Sequence, residues 1–346
     1  MTQLIWLWIP FTVLAAAGQV VRNAMQRGLT AQLGTLGATH IRFLFGFPFS
    51  LIFLGIILAV IGDRLAWPES GFWAWLVVGG MAQILATALM LMAMNERSFV
   101  VTTAYLKTEA IQAAIFGFVF LSDHLTMMKV AAIVIATIGV VITAIRPDGM
   151  KGFGNLKPTV LGLVAASFFA LSAVGYRGAI LNVTGVSFVT AASVTLVATL
   201  LMQSVVLSGW LIVRSPGTMT AIFRLWKPSM FAGFMGSFAS LFWFLAFALT
   251  AAANVRTLAL VEVLFAQGVA YYSMKQPISM RELSGGLSYF FTARRIAPAA
   301  ISVIPSQPVA DGRSPRNTKA NSVTRTTLSL SIGATSVAGP SLSARK

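Results

Sequence analysis

The chain has 346 residues, 57% of them hydrophobic and only 10% charged, with a mean hydropathy of +0.82. Soluble domains carry about 25% charged residues, so a water-soluble globular fold is excluded. There is no cysteine and there are two histidines, His40 and His124, which rules out disulfides, thiolate chemistry and a multi-histidine metal centre. The net charge of +16 would suggest nucleic acid in a soluble protein. Here the excess gathers in the C-terminal stretch and at the rims of apolar segments, where Lys and Arg set membrane orientation, so no nucleic-acid partner is expected.

In chain order, nine apolar segments fill the first 273 residues: 4–21, 44–61, 72–94, 99–121, 127–145, 159–176, 188–213, 230–251 and 255–271. About 20 apolar residues at 1.5 Å rise span the roughly 30 Å hydrocarbon core of a bilayer. The first segment lacks a basic n-region and reads as an uncleaved span, not a signal peptide. Arg22-Asn23 closes the first segment, His40 and Arg42 precede the second, and Tyr176-Arg177 closes the sixth. An arginine at a span end reaches water by snorkelling, so these residues are expected to be interfacial anchors. Trp73, Trp75, Trp210 and Trp226 are placed like an aromatic belt, whereas Trp243 lies deep enough to face a cavity.

An ionisable side chain at the bilayer centre costs about 2.5–3.5 kcal/mol on insertion scales. Lys107 and Glu109 fall mid-way along the fourth segment, Glu262 mid-way along the ninth, and Arg256 at the start of the ninth. Residues two apart on a helix do not face each other. Lys107 is therefore expected to pair across the bundle with Glu262, and Arg256 with Glu109. Two roles stay open for these groups: internal ion pairs that fix helix packing, or a substrate- or ion-binding site. Gln112, three residues after Glu109, shares its helical face. Other amides, among them Gln19, Asn23, Gln203 and Gln267, read as hydrogen-bonding glue between helices.

The two halves resemble each other. A shift of 153 residues carries Glu109 onto Glu262 and Ala113 onto Ala266; a shift of 155 carries Arg22 onto Arg177. Five spans is an odd number, so the second half starts from the opposite side of the membrane, the inverted repeat of many secondary transporters. The fold class expected is an all-α polytopic membrane bundle of two inverted five-span repeats, residues 1–147 and 158–286. The counterpart of the fifth span should cover about 280–298, but Arg294-Arg295 and Pro298 interrupt it. The tenth span thus reads as missing or replaced by a basic, disordered tail over 287–346. A reading-frame shift near Gly286 is preferred to a natural cytoplasmic tail.

The run Thr102-Thr103-Ala104-Tyr105-Leu106-Lys107-Thr108-Glu109 leads to Leu121-Ser122-Asp123-His124-Leu125-Thr126. Its counterpart, Arg256-Thr257-Leu258-Ala259-Leu260-Val261-Glu262, leads to Lys275-Gln276-Pro277-Ile278-Ser279. Over about residues 4–286 the chain resembles EamA-type permeases of the drug/metabolite transporter superfamily, through the fourth and ninth spans and the short link after each. The glycine and glutamate of that link are replaced here by Ser122-Asp123 and Lys275-Gln276. The resemblance implies a carrier of small organic solutes such as amino acids or drug-like metabolites in a bacterial inner membrane. A small-molecule solute, membrane lipid and a coupling proton or ion are the partners implied; no cofactor is expected, and nothing in the sequence excludes a homodimer. No GxxxxGK[ST], HExxH or GxSxG occurs, so an enzyme is not expected. The rivals are a non-transporting or inactive membrane scaffold and, further off, a membrane-embedded enzyme acting on lipid.

Overall fold

The computed structural model describes residues 2–272 except 66, 97–98, 124–126, 128–129, 132 and 136–156. Every regular element among them is a helix. A 3₁₀ turn (Thr2–Leu7) leads into α1 (Trp8–Leu44), α2 (Gly46–Ile61), α3 (Ser70–Glu96), α4 (Phe99–Leu106) and α5 (Glu109–Leu121). Farther along the chain come α6 (Lys157–Leu181), α7 (Phe188–Arg214), α8 (Pro216–Arg224), α9 (Trp226–Leu249), α10 (Ala252–Leu258), a 3₁₀ turn (Ala259–Val261) and α11 (Glu262–Tyr272). Six helical stretches among the described residues are long and apolar enough to cross a membrane. The stretch Leu4–Ile61 holds two of the expected spans. The fourth is split between α4 and α5, the fifth falls mostly outside the described residues, and so do the expected tenth-span remnant and tail. This is a polytopic helical membrane bundle.

The first two spans correct the boundaries drawn from sequence. Residues 22–43 are not a polar link; they are helical except at Gly34. Gly34, at φ 67° and ψ 174°, takes a left-handed backbone that side chains other than glycine's resist. The chain reverses there. The Gln26 amide donates to the Ala38 carbonyl at 2.7 Å, although twelve residues of straight helix would separate them by about 18 Å. α1 is therefore a hairpin, with one arm over 8–33 and the other running on through α2. The turn between α6 and α7 is also marked by a positive-φ glycine, Gly185 at 77°.

α2 is built inside out relative to a soluble helix. Its buried residues are Gly46 and Ser50, while Leu51, Ile52, Ile56 and Val60 are exposed. A contiguous apolar outer face needs an apolar solvent. Small residues line the inner contacts, because helices in lipid associate through close backbone approach, not through the hydrophobic effect. α3 packs on α6, where a Cβ on Gly175 would stand 2.7 Å from Gly79 Cα. α1 packs on α9, where a Cβ on Gly18 would meet Ala239 Cβ at 3.3 Å. These are the two most extensive helix pairings among the described residues.

At one end of the bundle the α2–α3 link clasps the α6–α7 turn. Asp63 Oδ2 accepts from the Ser187 amide at 2.9 Å and from Thr190 Oγ1 at 2.7 Å, and Glu69 Oε1 accepts from Thr184 Oγ1 at 3.0 Å. Hydrogen bonds from Ser187 and Thr190 hold Asp63 below its ordinary value of 3.8. A carboxyl depressed in the folded state stabilises fully above its unfolded value and loses that contribution as pH falls through the folded value. Asp63→Asn is expected to lower the melting temperature at neutral pH. It should also flatten the loss of stability that wild type shows on acidification below about pH 4. Melting curves of both proteins against pH check this; parallel curves would deny the clasp a role.

Candidate functional site

Two spans are interrupted inside the bundle. Between α4 and α5 the chain makes a turn at Lys107-Thr108, with the Thr108 amide donating to the Tyr105 carbonyl at 3.3 Å and Thr108 Oγ1 to the same carbonyl at 2.9 Å. Between α10 and α11 the 3₁₀ turn Ala259–Val261 does the same. α5 begins on Glu109 and α11 begins on Glu262, so the shift of 153 residues relates the two breaks as well as the two carboxylates. Irregular backbone at membrane depth is tolerated where protein buries it. Each Glu sits in the first turn of its half-helix, where the helix dipole favours negative charge.

The two breaks meet. Lys107 Nζ donates to Glu262 Oε2 at 2.5 Å and lies 3.9 Å from Glu109 Oε1. Arg256 NH1 stands 3.6 Å from Glu109 Oε1. Gln19 of α1 donates its amide to Glu262 Oε1 at 2.9 Å and accepts from Trp243 Nε1 on α9 at 2.9 Å. Arg256 lies over the Trp243 ring, 4.6 Å from its centroid, and 5.3 Å from that of Phe247. All six polar or charged groups are buried. Residues from both halves of the chain thus form one charged network, with each carboxylate facing cations.

A second group of cations lies beside it. Arg22 and Arg42 are 0% and 1% exposed, and both flank Gly236 of α9: a Cβ there would stand 3.3 Å from Arg22 Cδ and 3.4 Å from Arg42 Cβ. This overturns the expectation that Arg22, Arg42 and His40 anchor the membrane interface. The hairpin at Gly34 folds that polar stretch into the bundle instead. Arg177 and Tyr176 are interior too: Arg177 NH1 donates to the Phe247 and Thr250 carbonyls at 2.7 and 2.6 Å, NH2 lies 3.8 Å from Asp123, and the Tyr176 hydroxyl accepts from Gln203 at 3.1 Å.

Of the residues singled out in the sequence, Lys107, Glu109, Arg256, Glu262 and Trp243 are brought together, in the pairs anticipated. Gln112 sits three residues after Glu109 on α5, half-buried, its Oε1 without a hydrogen-bond partner among the described residues. Gln19, Arg22 and Arg42 were missed as members. The repeat register of Arg22 with Arg177 was the available signal, since charges placed alike in both halves suit a shared interior better than two accidental anchors.

Comparisons with known proteins bear on family and fold. Residues 6–145 match the model of the EamA-like transporter family. Among curated proteins, none matches the chain. A solved crystal structure whose description names no activity superposes with a TM-score of 0.61 at 13% identity, over 87% of this chain and 99% of its own. At that identity the likeness is one of fold.

Proposed function

We propose, on the premise that residues 6–145 place this chain in the EamA-like transporter family, that it is a secondary permease for a small organic solute such as an amino acid or drug-like metabolite. It would work in a bacterial inner membrane, with residues 1–147 and 158–286 as its two inverted repeats. Lys107, Glu109, Arg256 and Glu262 form the centre of the solute or coupling-ion site, and Trp243 supplies an aromatic wall. Gln112, three residues after Glu109 on α5, lies at the edge of the site with a buried, unpartnered Oε1 among the described residues.

The observation that carries this reading is the meeting of two interrupted helices at a buried Lys107–Glu262 ion pair. Inverted-repeat transporters place their sites at such breaks near the midplane. A packing role alone asks for no broken helices. The test is transport by the purified chain in liposomes against a panel of labelled amino acids, organic acids, sugars and cationic drugs. Accumulation of one class driven by a proton or sodium gradient is expected. Failure to move any of them, in vesicles where the protein is inserted and folded, would leave the scaffold as the better description.

A further inference from the structure

The buried charges do not balance. Among the described residues five cations are buried, Arg22, Arg42, Lys107, Arg177 and Arg256, against two buried carboxylates, Glu109 and Glu262. Lys107 takes Glu262, Arg256 takes Glu109, and Arg177 has two carbonyls and Asp123. Arg22 and Arg42 have no carboxylate. The other described carboxylates are engaged elsewhere, Asp63 with Ser187 and Thr190, Glu69 with Thr184, and Glu96 with Lys157.

Their hydrogen bonds are incomplete in an informative way. Asn23 Oδ1 accepts from both Nε and NH2 of Arg22, at 3.2 and 2.7 Å. That pins one edge of the guanidinium and leaves NH1 buried without a partner. Arg42 donates NH1 to Thr87 Oγ1 at 3.1 Å and stacks 4.8 Å from the Phe43 ring centroid, while its Nε is buried without a partner. Both guanidinium groups are thus oriented by neutral groups, and among the described residues neither has a carboxylate within ion-pair distance. Two buried arginines whose side chains both pack against the bare backbone of Gly236, each with an N–H left without a partner, supply the forked donors that recognise an oxyanion.

We infer that the solute carries an oxyanion, a carboxylate or a phosphate, bound between Arg22 and Arg42. Asn23 and Thr87 are positioning residues that aim the two guanidiniums. This rests on the transport reading and narrows its substrate to organic anions and zwitterions. The solute charge would offset the two arginines, while the Lys107–Glu262 pair remains free to respond to protons or to the solute's other end.

The full chain purified in detergent is titrated, at matched ionic strength, with succinate, L-glutamate, glucose 6-phosphate, glucose and tetraethylammonium, and thermal stabilisation is read. The same compounds are then offered to proteoliposomes. An oxyanion-bearing compound is expected to stabilise and be transported while glucose and tetraethylammonium are not, and the carboxylates against the sugar phosphate decide which oxyanion is meant. Arg22→Gln and Arg42→Gln should each weaken that binding about tenfold or more. Arg22→Lys and Arg42→Lys, which keep the charge and serve where the glutamine variants do not fold, should also weaken it, because an ammonium has no fork for bidentate binding. Stabilisation and transport of glucose or tetraethylammonium alone, undiminished in the arginine variants, would overturn the inference and leave the transport reading intact. If no labelled compound in the wider panel is transported, the transport reading falls and takes the inference with it.

Discussion

Glu262→Gln is expected to abolish gradient-driven solute uptake in proteoliposomes while the chain still inserts. The carboxylate accepts from Lys107 and from Gln19, and through Gln19 it is tied to Trp243. A glutamine keeps the shape but removes the charge, so Lys107 is left, among the described residues, with Glu109 at 3.9 Å as its one carboxylate neighbour, one that Arg256 already shares. Breaking a buried pair by removing one partner costs about 3–5 kcal/mol, so the melting temperature should fall as well. The double variant Lys107→Met, Glu262→Gln separates the two effects. It removes both charges and should recover much of the stability, because a neutral buried pair carries no unpaired ion. Uptake should not return, since neither proton nor solute charge can then be exchanged at the pair. Full uptake by Glu262→Gln would reduce the network to packing; uptake regained in the double variant would make its charge dispensable.

Gly175→Leu is expected to prevent α3 and α6 from closing, with loss of the monodisperse folded species. A Cβ at 175 would stand 2.7 Å from Gly79 Cα and 2.8 Å from Gly79 N, and a Cβ at 79 would in turn meet Tyr176 Cδ1 at 2.9 Å. These neighbours are backbone and a ring fixed by Phe244 at 4.6 Å and by Gln203, so nothing flexible can yield. Overpacking of this kind costs about 1–3 kcal/mol and sometimes more, and here the displacement passes through Tyr176 toward Arg177. Gly55→Leu is the control: nothing lies within 4 Å of that position, on the outward side of α2. Size-exclusion profiles and melting temperatures of the two variants provide the comparison. Equal behaviour would show that α3 and α6 do not approach as closely as Gly79 and Gly175 indicate.

The membrane class, most span positions and the Lys107–Glu262 and Arg256–Glu109 pairs were determined by the sequence alone. The reason is energetic: lipid tolerates neither an unpaired charge nor an unpaired backbone amide, so apolar length sets the spans and opposite charges at like depth must find each other. The shift of 153 residues added the depth. Tertiary structure alone decided which polar residues face inward. Arg22, His40 and Arg42 border apolar runs, and a linear pattern cannot distinguish an arginine that snorkels from one folded inside; the reversal at Gly34 and the bare backbone of Gly236 make that choice. The helix breaks at Lys107-Thr108 and Ala259–Val261 were equally illegible, because Leu106, Thr108 and Leu260 are unremarkable in a continuous helix. The turns satisfy their own backbone locally, the Thr108 amide on the Tyr105 carbonyl and the Glu262 amide on those of Ala259 and Leu260, so what favours them over a continuous helix is the charged network they bring together, and that depends on neighbours far away in the chain.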